Sequence, residues 1–463
     1  MNEPEPNTDP RQAAVQAEGL GTPSLRSRAI NASIWTFVGM GASRVLRLGG
    51  NLILTRMLFP EAFGLMALVF VFTQGMEMMS DLGIGPSVVQ NQRGDDREFL
   101  DTAWTLQILR GLGIWVGIGI VSWPAALFYG EPQLAMLLPV VGFTAVLSGC
   151  NSMARHTVAR HLALGRLAVF DLLAQVFAIG VMVVWALLTP TVWALVAGAV
   201  AGATARMVLS HFLLPATRSR LRWDASSAWA VIHFGKWIFL TSAVGFLAAQ
   251  VDRLILGKLI SFEALGIYSI ALMISTVPND LVASLGMKVI FPAASRRADL
   301  PRPELRDLVL RNRWPLLGGL ALATTLLAVF GDLLIHFLYD VRYHEAGWML
   351  SLLAFGLWPR VLTNTMGPAL LAIGDPRFIA YSASVRFVLL CVGIPLAHHF
   401  FGLPGVVVAV ALGSIPDYAV EAIGLWQHGL SPFRQDMRAT LLWAALAAGL
   451  WSLRSMLGLG NPF

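Results

Sequence analysis

Four arginines stand inside long apolar segments of the sequence, where charged side chains are uncommon. Arg44 and Arg47 are three residues apart in the first segment, and Arg360 and Arg386 fall in two later ones. Residues at positions i and i+3 share one face of a helix, so a helical segment would turn Arg44 and Arg47 the same way. Because a guanidinium binds phosphate oxygens in pairs, the four arginines are candidates for binding a phosphate-bearing anion.

Structural pairing with acids is the alternative role for the same four arginines. A charge at bilayer depth costs roughly 2.5–3.5 kcal/mol on insertion scales, so each arginine must meet water, a ligand or an acid. Acids that could neutralise them stand in other apolar segments: Glu77, Asp81, Asp417 and Glu421. The residue types leave both roles open, an anion-binding site and a set of ion pairs.

Other charged residues in the apolar segments are weaker candidates. Three of them, nearer the segment ends, could belong to a substrate path or could extend to the membrane surface: Arg110, Arg206 and Lys288. Asp81 and Asp252 are candidates for coupling to an ion. Asp81 lies in Ser-Asp-Leu-Gly, where it could instead cap a helix end, and Asp252 is followed by Arg253, which could balance its charge.

No constellation of residues in the sequence predicts catalysis. Cys150 and Cys391, the two cysteines, stand in or at the end of apolar runs, which excludes a disulfide framework and a cysteine zinc site. The nine histidines form no HExxH motif, and neither a Walker A loop nor GxSxG occurs. We therefore expect no enzyme activity, no metal and no cofactor, and no ATP hydrolysis by the chain itself.

The composition identifies the elements that must carry these residues. The chain has 463 residues, 56% of them hydrophobic and only 13% charged, with a mean hydropathy of +0.67, whereas soluble domains carry about 25% charge. Apolar runs of 20 or more residues recur, and each can span a bilayer as a helix. The sequence predicts an all-α polytopic membrane protein with spans at 30–55, 62–90, 100–127, 132–154, 167–188, 190–214, 234–258, 262–290, 314–338, 345–372, 377–398, 402–426 and 439–457.

The basic residues predict the orientation of these spans. Of the 33 Lys and Arg residues, 21 fall in one set of loops and three in the opposite set. By the positive-inside rule, the N-terminus is then cytoplasmic. The longest cytoplasmic loop, 291–313, has leucines on one side and arginines on the other, which predicts an amphipathic helix on the membrane surface or a docking site for a partner. Basic residues spread over short loops do not predict nucleic-acid binding.

An internal repeat predicts two halves. Residues 52–67 and 254–269 are identical at six of sixteen positions with a constant offset of 202, including Glu-Ala-x-Gly in both. Six spans separate the copies, so both enter the membrane in the same direction, as in a parallel repeat. We expect two pseudo-symmetric six-helix bundles around a central cavity. The predicted boundaries are a disordered cytoplasmic tail 1–28, bundles 29–215 and 234–428 joined by a cytoplasmic linker 216–233, and an extra C-terminal helix in 429–463.

Several segments resemble a known family. TRMLFPEAFGLMALVFVFTQGMEMMSDLGIGPSVVQ (55–90) and DTAWTLQILRG (101–111) are similar to the N-terminal signature of bacterial polysaccharide transporters. These are lipid-linked oligosaccharide flippases of the multidrug/oligosaccharidyl-lipid/polysaccharide exporter superfamily. QVDRLILGKLISFEALGIYSIA (250–271) and LLAIGDPRF (370–378) resemble later segments of the family. The resemblance covers about residues 28–430; many members have fourteen helices, whereas this sequence shows thirteen.

The resemblance implies a function. The substrate would be an undecaprenyl-pyrophosphate-linked oligosaccharide, moved across the bacterial inner membrane for surface polysaccharide, exopolysaccharide or lipopolysaccharide assembly. The four arginines would then receive its diphosphate, and a polysaccharide polymerase and export machinery would be partners alongside membrane lipid. Two alternatives remain: a cation-coupled multidrug exporter of the same superfamily, and a membrane polysaccharide polymerase or glycosyltransferase, which generally needs a large external loop that is not found here.

Overall fold

The computed structural model of the chain describes residues 25–461 except 81–82, 92, 162, 215–219, 226–228, 230–244 and 298. Within these ranges every regular element is helical, as the sequence predicts. The predicted tail 1–28 and linker 216–233 fall mostly outside the described residues. The first helix already begins at Leu25, a few residues before the predicted end of the tail.

The described helices follow the predicted spans closely, and residues 234–244 of the predicted span 234–258 lie outside the described residues. In chain order they are α1 (Leu25–Met57), α2 (Pro60–Met79), α3 (Ile84–Gln90), α4 (Arg97–Tyr129), α5 (Leu134–Gly149), α6 (Ala154–Arg160), α7 (Leu164–Leu188), α8 (Trp193–Phe212), α9 (245–259), α10 (Phe262–Leu285), α11 (Phe291–Ser295), α12 (Arg302–Leu338), α13 (Ala346–Ala372), α14 (Arg377–Leu412), α15 (Ser414–Gln427) and α16 (Phe433–Met456). A π-helical turn, Gly286–Ile290, joins α10 to α11.

Apolar length alone identifies only part of this set as membrane spans. Seven of the described helical segments are long and apolar enough, and the bent pair α5–α6 would be an eighth. The helices that carry Arg44 and Arg47 (α1), Arg360 (α13) and Arg454 (α16) are not among these long apolar segments. All three pack within the helical assembly, so their charged residues find protein partners or water rather than lipid.

The helices pair as antiparallel hairpins. In α14 the chain reverses at Gly402, whose φ of 63° is open to glycine at little cost. Ser382 and Arg386 before this turn meet Glu421 and Asp417 after it, so residues 377–401 and 403–427 lie side by side. The two spans predicted at 377–398 and 402–426 are therefore confirmed as two arms of one hairpin.

The two copies of the internal repeat meet each other. Helix α2, which carries the second part of the first copy, packs along α10, which carries the second part of the other copy. A Cβ atom on Gly64 would overlap the carbonyl oxygen of Phe262, and one on Gly266 would overlap that of Pro60. Each contact becomes the other when 202 is added to one residue and subtracted from its partner. Such a reciprocal pair is the signature of an internal two-fold relation, in agreement with two pseudo-symmetric halves.

The predicted surface helix at 291–313 is wrong in part. Residues 291–295 form a short helix, but α12 runs without a break from Arg302 into the span that ends at Leu338. Its apolar side, with Leu305 and Val309 buried, packs against the C-terminal half instead of lipid headgroups. Arg313, predicted as a loop residue, is fully buried against Asp436. Helical periodicity correctly identified the apolar face of this helix. It does not show whether that face packs against protein or against membrane.

The extra C-terminal helix is a complete one. Arg454, which interrupts its apolar run, is 2% exposed and binds both carboxylate oxygens of Asp332 on α12 at 2.6 Å. At the opposite end, Asp436 binds Arg313 and accepts a hydrogen bond from Tyr418. Two buried ion pairs thus fix α16 to α12, so it belongs to the assembly despite its charged residues.

Candidate anion site between the two halves

A cleft of about 480 Å³ lies between α1 and α7 of the first half and α10 of the second. Its charged lining residues are Arg44, Arg47, Asp171 and Asp280. The first two come from the middle of α1, Asp171 from the start of α7, and Asp280 from near the end of α10. We call the end of the molecule that carries residues 80–96, 150–163, 286–301, 373–376 and 428–432 the basic end. The cleft lies toward this end.

Arg44 connects the two halves across the cleft. Its Nη2 lies 3.2 Å from the Asp280 carboxylate, and its Nη1 donates to the Val277 carbonyl at 3.3 Å. Both side chains remain partly exposed, with 33% of Arg44 and 52% of Asp280 accessible. Because a half-exposed ion pair is only weakly stabilising, Arg44 is held in position yet can exchange its carboxylate partner for another anion.

Arg47 faces the same cleft without a partner. Within the described part of the chain, this exposed guanidinium makes no hydrogen bond or ion pair. Asp171, the other acid in the lining, lies 3.5 Å from Arg155. The acids of the cleft are therefore both committed to arginines, and the uncommitted charge in its lining is the cation Arg47.

Arg206 gains importance from the structure. It is half-buried on α8, has no hydrogen bond or ion pair among the described residues, and interacts electrostatically with Arg47, Asp171, Glu77 and Arg155. The sequence offered two roles for it, a place in the substrate path or extension to the membrane surface. Its interaction with Arg47 and Asp171 instead adds a second cation without an ion-pair partner near the cleft, outside the residues that line it. Spacing could not reveal this, because 158 residues separate the two in the chain.

Arg110 has a structural position. Its Nε donates to the Ser80 carbonyl at 2.7 Å and its Nη2 to the Glu77 carbonyl at 2.5 Å. These carbonyls belong to the last turn of α2 and to Ser80, which caps it, and cationic side chains at such a helix end satisfy free acceptors and the helix dipole. Lys288, the third of the weaker candidates, lies in the π-helical turn after α10; its side chain is outside the described part of the structure.

Arg386 and Arg360 lie together in the second half, away from the cleft lining. Arg386 on α14 is 8% exposed and its Nη1 lies 3.4 Å from Asp417, one of the acids that the sequence offers as a partner. Arg360 on α13 is half-buried, and in the described structure it makes no hydrogen bond or ion pair. Its electrostatic neighbours include Arg386, Asp417 and Asp280. Asp280, the partner of Arg44 in the cleft, therefore also interacts electrostatically with Arg360.

The two acids predicted for ion coupling have different outcomes. Asp81 lies outside the described residues. Asp252 is buried and accepts a hydrogen bond from the Tyr268 hydroxyl at 2.6 Å, while the adjacent Arg253 binds Gln250. The predicted charge balance between Asp252 and Arg253 is therefore not seen as a direct contact. Tyr268, which the sequence analysis did not single out, satisfies the acid instead.

The halves are joined at the opposite end of the molecule. We call this the short-turn end, formed by residues 58–59, 130–133, 189–192, 260–261 and 339–345. Arg342 donates to the Arg56 carbonyl at 3.1 Å, and the buried Tyr343 hydroxyl donates to the Leu58 carbonyl at 3.2 Å. From the other half, Tyr129 donates to the Leu254 carbonyl at 3.1 Å. These contacts join the two halves at the short-turn end, whereas the cleft lies toward the basic end.

Comparison with known proteins identifies the family. The family model for polysaccharide biosynthesis proteins matches residues 53–347, well over half of the chain. The chain belongs to this family. The teichuronic acid biosynthesis protein TuaB of Bacillus subtilis (strain 168) is 23% identical over 398 residues, which cover 81% of this chain and 77% of TuaB. The succinoglycan biosynthesis transport protein ExoT of Rhizobium meliloti (strain 1021) is 22% identical over 376 residues, 79% of this chain and 74% of ExoT.

Solved structures share the fold at low sequence identity. The lipid II flippase MurJ, in an inward closed conformation, superposes with a TM-score of 0.67 at 13% identity and covers 92% of this chain and 98% of MurJ. An inward-facing multidrug resistance MATE family transporter of the MOP superfamily gives 0.64 at 15% identity, covering 90% and 98%. These similarities show that the protein shares the all-helical fold of these two proteins.

Proposed function

We propose that the chain is a flippase that moves an undecaprenyl-pyrophosphate-linked oligosaccharide across the bacterial inner membrane for assembly of surface polysaccharide, exopolysaccharide or lipopolysaccharide. Family membership supports polysaccharide biosynthesis, and relatives named as a transport protein and a lipid II flippase support movement of a lipid-linked sugar. The observation that carries the proposal is the uncommitted cationic charge in the cleft between the halves.

The physical need for such a cleft is clear. A diphosphate with polar sugars cannot enter hydrocarbon without paying many kcal/mol for unpaired charge. Arg47 and Arg206 offer guanidinium groups without partners, and Arg44 can transfer from Asp280 to a phosphate oxygen. Arg360, also without a partner, extends the cationic surface beyond Asp280, whereas Arg386 can join only by leaving Asp417. The polyprenyl tail would remain in lipid between the halves.

The orientation of the protein fits loading from the cytoplasm. The excess of basic residues at the basic end supports a cytoplasmic location for that end and for the N-terminus. The cleft then lies toward the cytoplasm, where the lipid-linked unit is built, and the short-turn end faces the opposite side. Rocking of one half against the other would move the opening across the membrane. A polymerase and export machinery would act on the product.

The electrostatics of the cleft weigh against the main alternative. A multidrug exporter for cationic compounds would bind them at Asp280 or Asp171, but both acids are paired with arginines, and Arg44 leaves Asp280 only when another anion takes its place. An anionic substrate can bind Arg47, the lining residue that has no partner in the described structure. A transporter also needs no catalytic residues, so we propose that the chain is not an enzyme.

Substitution of Arg47 tests the proposal. Loss of a charge-assisted hydrogen bond costs roughly 1.5–3 kcal/mol, so Arg47→Ala should weaken substrate binding about ten- to a hundredfold. Arg47→Lys keeps the charge but not the paired geometry, and should show a smaller loss. The measurement is surface glycan per inserted protein in cells that depend on each variant.

Arg166 provides the matched control for this experiment. It is an exposed arginine on α7 near the basic end but outside the cleft lining, so Arg166→Ala should keep full glycan display. Normal display by an Arg47→Ala and Arg206→Ala double variant, at normal protein level, would refute an anion site in this cleft.

A further inference from the structure

An unsatisfied carboxyl group is buried in the second half, outside the cleft. Glu421 on α15 is 6% exposed. Its Oε1 accepts a hydrogen bond from the Ser382 hydroxyl at 3.1 Å, whereas its Oε2 has no hydrogen-bond partner. That oxygen lies against α13 at Gly367, where a Cβ atom would approach it to 2.7 Å. The group is thus enclosed by α13, α14 and α15 with one oxygen left unpaired.

The charged groups around Glu421 do not neutralise it. On its own helix, one turn away, stands Asp417, a like charge that interacts with it electrostatically. On α14, Arg386 is directed at Asp417 at 3.4 Å, and on α13, Arg360 has Arg386 and Asp417 as neighbours. Within the described residues, no cation lies at ion-pair distance from Glu421, and Arg386 is paired with Asp417 instead.

A proton resolves this arrangement. An ionised carboxylate buried without a cation is far more costly than the neutral acid, and a second negative charge beside Asp417 adds to the cost. The protonated carboxyl group of Glu421 also has an O–H that can donate a hydrogen bond. We propose that Glu421 binds a proton in this conformation, with the Ser382 hydroxyl holding the carboxyl group in place.

This site offers a coupling ion for transport, an extension that rests on the proposed function. Glu421 and Ser382 lie on the two arms of the α14–α15 hairpin, and Gly367 lies on α13. Movement of this hairpin that admits water or brings Arg386 to Glu421 would release the proton. Proton binding is therefore linked to the position of the hairpin, and a proton gradient can bias it.

Infrared spectroscopy of the purified full-length protein in lipid tests the proton site without any substrate. The carbonyl band of a neutral carboxylic acid should be present at neutral pH, be lost in Glu421→Gln and shift in Ser382→Ala. Asp375→Asn is the control, because Asp375 is a buried acid of the same half that binds Arg377 and His428 and not the residues around Glu421, and it should keep the band. A band that survives in Glu421→Gln, or that sodium alone removes, would overturn the proposal.

Transport distinguishes this proposal from the proposed function. In cells that depend on the variant, Glu421→Gln should abolish the response of glycan display to collapse of the proton gradient, while Arg166→Ala keeps it. If the infrared band behaves as expected but Glu421→Gln responds to the gradient like the wild type, the proton site stands and its role in coupling is rejected. If no variant of the cleft affects display, the flippase proposal fails while the infrared result is unchanged.

Discussion

At the scale of single residues, the arginines in the spans divide into two classes. Arg110, Arg313 and Arg454 are committed to carbonyls or acids, whereas Arg47 and Arg206 have no partner in the described structure. Sequence alone predicted the need for partners from the cost of buried charge, but not which arginines have them. Partners such as Asp280 and Asp332 lie more than a hundred residues away, so only the tertiary packing decides.

Substitution of Arg454 and Asp332 tests whether their ion pair stabilises the protein. Removal of one partner of a buried ion pair costs roughly 3–5 kcal/mol because it leaves an isolated charge. Arg454→Met should therefore lower the amount of inserted, protease-resistant protein severalfold. The double variant Arg454→Met with Asp332→Leu should recover most of it, because no unpaired charge remains. Equal loss in both variants, measured as folded protein after membrane extraction, would show that the pair does not hold α16.

At the scale of elements, hydropathy predicted the long helices well where the structure describes them, while their ends and contacts depended on packing. The predicted span 62–90 ends as a long helix at Met79, before Gly83 with its φ of 62°, and resumes as the short α3. Residues 302–313 form the first part of α12 because their apolar face packs against the second half of the molecule. A periodic pattern specifies which face is buried, but the partner of that face is a property of the assembled chain.

The contact between the repeat copies depends on glycine. Gly64→Ala or Gly266→Ala would place a Cβ against a backbone carbonyl, which cannot move as a side chain can, and overpacking of this kind costs roughly 1–3 kcal/mol. We expect either variant to separate α2 from α10 and lower the thermal stability of the detergent-solubilised protein.

Gly119→Ala is the control for the repeat contact. Its Cβ would meet nothing within 4 Å, and alanine favours a helix over glycine by about 1 kcal/mol, so stability should be unchanged or raised. A Gly64→Ala and Gly266→Ala double variant that is as stable as Gly119→Ala would contradict a close contact at the two-fold relation.

At the scale of the whole molecule, the two ends differ in charge and in packing. At the short-turn end hydrogen bonds join the halves, and the cleft with its arginines lies toward the basic end. The conformation and the membrane orientation are therefore linked. The cleft faces the cytoplasm only if the basic end lies in the cytoplasm. If the orientation were reversed, the same conformation would open outward.

Cysteine labelling in intact cells tests this orientation directly. With Cys150 and Cys391 replaced by alanine, Asp299→Cys at the basic end and Gln133→Cys at the short-turn end each offer one exposed position. The excess of basic residues near Asp299 predicts that this end stays in the cytoplasm, so an impermeant maleimide should label Gln133→Cys and leave Asp299→Cys unlabelled. Both variants should react after the membrane is permeabilised, which controls for access. Labelling of Asp299→Cys in intact cells, with Gln133→Cys protected, would invert the topology and make the cleft arginines face the outer side in this conformation.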